Sequence, residues 1–184
     1  MNICMFGAAS DNIAAKYIDA AFSLGCELAS RGHHLVFGGG ATGTMGAAAR
    51  SVHQHGGTLT GVAPHFFRTE GVLYPHCTEM IYTDNMSERK VIMEQSSDGF
   101  VILPGGLGTM DELFEILTLN QLNRINKPVA VINVDGFFDP LRELLDRFYF
   151  EEFMALPPSD FCGIYPTCDE ALDFLESFYA NRDS

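Results

Sequence analysis

The chain is short of positive charge. Its 184 residues include 11 Lys and Arg against 24 Asp and Glu, a formal net charge of −13. That balance argues against a nucleic-acid backbone or an anionic membrane as the main partner, since both are recognised by clustered cations. A phosphorylated small molecule stays open, because backbone amides and one or two cations bind phosphate locally. Lysine occurs only as Lys16, Lys90 and Lys127, which leaves few candidates for the Schiff base of a pyridoxal phosphate enzyme. No Gly-Lys-Ser/Thr is present, so there is no Walker-type ATP site. The 5 cysteines are scattered, odd in number and free of Cys-x-x-Cys or Cys/His spacing. They read as reduced thiols rather than as disulfides or a zinc site. The histidines build no metal site either: His53 and His55 fall on different faces of one predicted helix. There is no basic-then-apolar leader and no apolar run long enough to span a membrane, so the expected location is cytoplasmic.

What is present is a globular composition, 47% hydrophobic and 19% charged, long enough to bury a core and most simply one domain over 1–184. Strand-like runs are expected at 2–6, 34–37, 58–62, 79–83, 100–103 and 129–132. Helices are expected at 12–31, 44–55, 86–96, from Thr109 to 122, at 140–150 and at 169–179, and 63–77 is irregular. Strands alternating with helices imply right-handed βαβ units, hence an α/β fold: a Rossmann-like, doubly wound, mainly parallel sheet with helices on both faces. Such sheets bind ligands outside the carboxyl ends of their strands. Gly7, Gly38 and Gly105 each follow a strand's carboxyl end, so three glycine turns should line one edge of one sheet.

The most informative stretch runs from Val101 to Glu112. An apolar strand stops at Pro104, glycines follow, and Thr109, Asp111 and Glu112 open a helix with an apolar stripe. Converging backbone N–H groups and the helix dipole make that turn suitable for an anion such as phosphate. The carboxylates beside it would repel that anion and need another purpose. For Glu112 the local reading is structural: Thr109-x-x-Glu112 is a capping box, in which the glutamate satisfies a free N–H at the helix start. A second stretch, Gly38-x-Gly40-x-x-Gly43, spells the dinucleotide fingerprint. It follows the second strand, however, and lacks an acidic residue about twenty positions on, which argues against NAD.

Pro104-Gly105-Gly106-Leu107-Gly108-Thr109-Met110-Asp111-Glu112 resembles the PGGxGTxxE signature of the LOG ("lonely guy") phosphoribohydrolases, long labelled lysine decarboxylases. Gly38-Gly39-Gly40-Ala41-Thr42-Gly43-Thr44-Met45-Gly46 and Met86-Ser87-Glu88-Arg89-Lys90 match two further elements in order and spacing. The resemblance implies hydrolysis of the N-glycosidic bond of a purine nucleoside 5′-monophosphate, a cytokinin nucleotide or AMP, with no metal or organic cofactor. It makes Arg89 and Glu112 catalytic. It puts Lys90, Gly105, Gly106, Leu107, Gly108, Thr109, Met110, Asp111, Thr118, Glu70, Gly39 and Gly40 around the substrate. It also implies a homodimer with active sites near the interface, for which the apolar faces of helices 86–96 and 109–122 are candidates. The alternative is a binding protein of the same fold resembling the molybdenum-cofactor carriers; Arg89 together with Glu112 favours the enzyme. Arg89 is expected to face the pocket without commitment to a core, so that its removal costs little stability.

Overall fold

The computed structural model describes residues 1–180. Seven strands form one parallel sheet: β1 (Asn2–Phe6), β2 (His34–Phe37), β3 (Thr58–Pro64), β4 (Glu79–Thr83), β5 (Gly99–Ile102), β6 (Val129–Ile132) and β7 (Cys162–Tyr165). Their order is β4-β3-β2-β1-β5-β6-β7. The helices are α1 (Ala15–Ser30), α2 (Gly43–Gln54), α3 (Met86–Gln95), α4 (Leu107–Gln121), α5 (Asp139–Phe150) and α6 (Cys168–Ala180).

The period-two geometry of a strand sorts β1 cleanly. Ile3 and Met5 point into a core shared with Leu24 and Leu28 of α1, Val52 of α2 and Leu172 and Leu175 of α6. Cys4 and Phe6 point the other way, toward Met93 of α3, Leu113, Ile116 and Leu117 of α4 and Leu145 of α5. Both faces of the central strands are therefore covered, and so they read as continuous apolar runs. Each fully buried aliphatic or aromatic side chain in these layers contributes about 1.5–3 kcal/mol. At the far end, Arg31 fastens α1 to α6 through Asp173 at 2.7 Å and Glu176 at 3.2 Å, with Asp169 as a third partner.

The sheet has one strand more than the six expected. Cys162–Tyr165 is short, carries an internal glycine and is half-buried along most of its length, so neither length nor alternation marks it. It is recruited by β6, with Val129 opposite Cys162 and Ile132 opposite Tyr165. The first helix starts at Ala15 rather than residue 12, which leaves a longer turn after β1. The irregular 63–77 segment contains the end of β3, a 3₁₀ turn at His65–Phe67 and a lone antiparallel bridge from Leu73 to Gly40.

Candidate functional site

Strand order reverses at β1, which has β2 on one side and β5 on the other. The turns leaving these three strands open onto one cavity of about 970 Å³. Its walls include Gly7 to Ser10 after β1, Gly38 and Gly40 after β2, and Pro104 to Gly106 after β5. The three glycine turns thus meet at the reversal point, where a doubly wound sheet binds ligands.

The turn after β5 leads straight into α4. Gly106 is the N-cap, no side chain caps the helix, and the first intrahelical bond runs from Met110 N–H to Gly106 O at 3.1 Å. The N–H groups of Leu107, Gly108 and Thr109 precede that bond and lack a partner within the helix. They sit at the positive end of the dipole, beside the cavity wall formed by Gly105, Gly106, Gly108 and Thr109. The capping box expected at Thr109-x-x-Glu112 does not form. The helix begins two residues earlier than the sequence suggested, so Glu112 lies beyond its first turn and is free to face inward.

Glu112 meets Arg89 there. Arg89 Nη1 donates to Glu112 Oε1 at 2.7 Å, and Arg89 Nε donates to the Val62 carbonyl at 3.1 Å. The side chains are only 7% and 11% exposed, respectively. α3 holds the arginine in place through a side-chain cap: Asn85 Oδ1 accepts from Glu88 N–H at 2.9 Å, and Glu88 Oε2 accepts from Asp84 N–H at 2.8 Å. Arg89 is therefore committed to a buried ion pair, against the expectation that it faces the pocket without such a commitment. Burial holds the Glu112 carboxyl above the ordinary glutamate range, against the opposing charge and hydrogen bond of Arg89. A buried carboxylate with a raised pKa, paired with a guanidinium at a cavity wall, can accept a proton from water and stabilise developing positive charge.

The other expected site residues divide between the cavity and the outside. Gly40, Gly105, Gly106, Gly108 and Thr109 line the cavity with Arg89 and Glu112. Gly39 stands just behind, its φ of 76° allowing its carbonyl to accept from Tyr74 N–H at 2.8 Å. Met110 packs against the α3–α5 core layer, and Leu107 projects into solvent at 91% exposure. Lys90 turns outward and bridges to Asp111 at 3.1 Å and Glu115 at 2.6 Å. Thr118 is exposed on α4, its hydroxyl donating to the Phe114 carbonyl at 2.7 Å. Glu70 lines a smaller neighbouring cavity that shares Gly71 and Leu73 with the main one. Missed from the sequence were the apolar walls: Ile13, Tyr17, Met45, Phe67, Leu73 and Phe137. Of these, Ile13, Tyr17 and Phe137 follow strand ends in the chain, a position that could have marked them. Phe67 and Leu73 come from the irregular segment, and no periodicity announces them.

The fold and site together define a Rossmann-like α/β protein whose α4 N-terminus opens onto a cavity beside a buried acid–guanidinium pair. The family model described as "Possible lysine decarboxylase" matches residues 45–177. The cytokinin riboside 5′-monophosphate phosphoribohydrolase LOG of Oryza sativa subsp. japonica is 38% identical over 176 residues, covering 96% of this chain and 73% of the relative. The cytokinin riboside 5′-monophosphate phosphoribohydrolase LOG2 of Arabidopsis thaliana is 34% identical over 181 residues, covering 98% of this chain and 85% of the relative. The chain belongs to this LOG family. Among solved structures, the Moco carrier protein of Chlamydomonas reinhardtii superposes with a TM-score of 0.74 over 98% of both chains. At 22% identity that likeness concerns the fold alone.

Proposed function

We propose that the chain hydrolyses the N-glycosidic bond of a purine nucleoside 5′-monophosphate, a cytokinin riboside 5′-monophosphate or AMP. The observation that carries this reading is the buried Arg89–Glu112 pair beside the α4 N-terminus. The phosphate is held by the amides of the 105–109 turn, and the ribose then lies toward Glu112. As the C1′–N9 bond lengthens, positive charge spreads over the ribose ring and the bonding electrons leave with the base. The Glu112 carboxylate stabilises the first and takes a proton from the attacking water, whose oxygen bonds C1′. Arg89 offsets negative charge and orients the substrate. The departing base takes a proton from solvent and Glu112 returns its own to solvent, leaving ribose 5-phosphate and the free purine.

Lys90 and Thr118 lie outside the cavity of their own chain. From there they reach a substrate only across a contact between two copies, which supports a homodimer formed through α3 and α4. Val91, Leu107 and Leu122, exposed at 44%, 91% and 61%, supply apolar surface on those helices and their ends. One sheet running through the described chain supports a single nucleotide-binding domain, and five free thiols suit a reducing compartment such as the cytoplasm.

The test is incubation with AMP and with its N6-isoprenyl analogue, following ribose 5-phosphate. Release from at least one is expected, and binding without release from either would refute hydrolysis in favour of a carrier. Light scattering at micromolar concentration is expected to give a dimeric mass; a monomer would remove the shared-site arrangement.

A further inference from the structure

The Arg89 guanidinium needs room as well as partners. Gly38 leaves the end of β2, and a β-carbon built on it would overlap Arg89 Nη2 and stand 3.3 Å from Arg89 Cζ. The same atom would lie 3.1 Å from Met45 Sδ, which is the flexible end of a long side chain. Nothing in the backbone asks for glycine at 38, since its φ lies outside the left-handed region that Gly39 occupies at 76°. The space above Gly38 is therefore taken by the arginine head group.

We propose that Gly38 is a positioning residue. The missing side chain at the end of β2 is the seat of the Arg89 guanidinium, and through it sets the arginine's approach to Glu112. The seat completes a three-point hold. The Val62 carbonyl fixes Nε, Glu112 fixes Nη1, and Gly38 leaves the space in which Nη2 lies. Filling that space displaces the side chain, not the fold, because the overlapping atom is the tip of a flexible residue and alanine suits the backbone. The proposal rests on the reading of the Arg89–Glu112 pair as catalytic.

Gly38→Ala tests it. The expected result is a kcat lower by about 10²-fold with KM within a few-fold, the scale of a displacement near 1 Å at a catalytic group. The acid limb of the kcat–pH profile should also move to higher pH. Glu112 then loses its nearest cation, while its other titrating neighbours, Asp111, Lys90 and Cys4, stay where they were. A merely structural defect would lower the active fraction equally at every pH and leave the limb in place. In an Arg89→Lys background, where no planar fork fills the seat, adding Gly38→Ala should cost only a few-fold more. A kcat within threefold of the parent, an unmoved acid limb, or a full further 10²-fold loss on top of Arg89→Lys would overturn the proposal. If the parent releases no ribose 5-phosphate, the functional reading has failed separately. The crystal structure of Gly38→Ala then decides: Arg89 displaced from Glu112 sustains the seat, and Arg89 unmoved refutes it.

Discussion

Replacing Glu112 by Gln removes one negative charge and almost nothing else. The amide keeps the size and can still accept the bond from Arg89 Nη1, now 2.7 Å long. The loss is the neutralisation of a guanidinium that is only 7% exposed. Breaking a fully buried pair costs about 3–5 kcal/mol, and a hydrogen bond to a charged group contributes about 1.5–3 kcal/mol. The bond survives in neutral form, and burial already disfavours the Glu112 charge more than Arg89 favours it, so the expected loss is below about 1 kcal/mol. For a chain of this size that lowers Tm by no more than about 2–4 °C. Hydrolysis should fall by about 10²–10⁴-fold, because neither proton abstraction nor stabilisation of the ribose cation survives without the charge. The assay pairs ribose 5-phosphate release with thermal melting and nucleotide binding, which should persist. Hydrolysis within a few-fold of the parent would refute the catalytic role of the carboxylate.

Arg89→Ala should abolish most activity and also destabilise the fold, by about 3 kcal/mol at pH 8. Without its cation, the folded-state pKa of Glu112 rises further above that of the unfolded chain. The penalty is therefore absent below the ordinary glutamate range, grows as pH rises, and is complete above the raised folded value. Melting at pH 4.5 and pH 8 should show the wider deficit at pH 8; an equal deficit would contradict this. In the parent, burial raises the Glu112 pKa, so a pH–rate profile should lose activity on the acid side above the ordinary glutamate range. A limb at or below pH 4 would argue against Glu112 as the base. Asn85→Ala removes the side-chain cap that starts α3, at a cost of about 1 kcal/mol and about 2–4 °C in Tm; an unaltered melting curve would show that the cap contributes nothing.

Much of this arrangement was legible in the chain. Apolar runs closed by Gly7, Gly38 and Pro104 marked three strand ends, because a buried parallel strand must be apolar on both faces and a glycine turn must follow it. Their alternation with helical stripes led to the doubly wound sheet, and that topology placed the three turns together. The glycine turn at 105–109 was also readable, as a strand–glycine–helix junction is local. What local pattern could not decide was where side chains go once helices pack. Thr109-x-x-Glu112 satisfies the capping rule on paper, yet α4 starts at Leu107, and that shift turns Glu112 toward Arg89, 23 positions away in sequence. The same packing buries Arg89 and sends its neighbour Lys90 outward to Asp111 and Glu115, since adjacent helical residues point about 100° apart. Strand β7 exists because β6 offered an edge, and the apolar walls from Phe67 and Leu73 exist because a loop folds back onto Gly39 and Gly40. Such contacts join residues far apart in the chain, so short-range periodicity carries no trace of them.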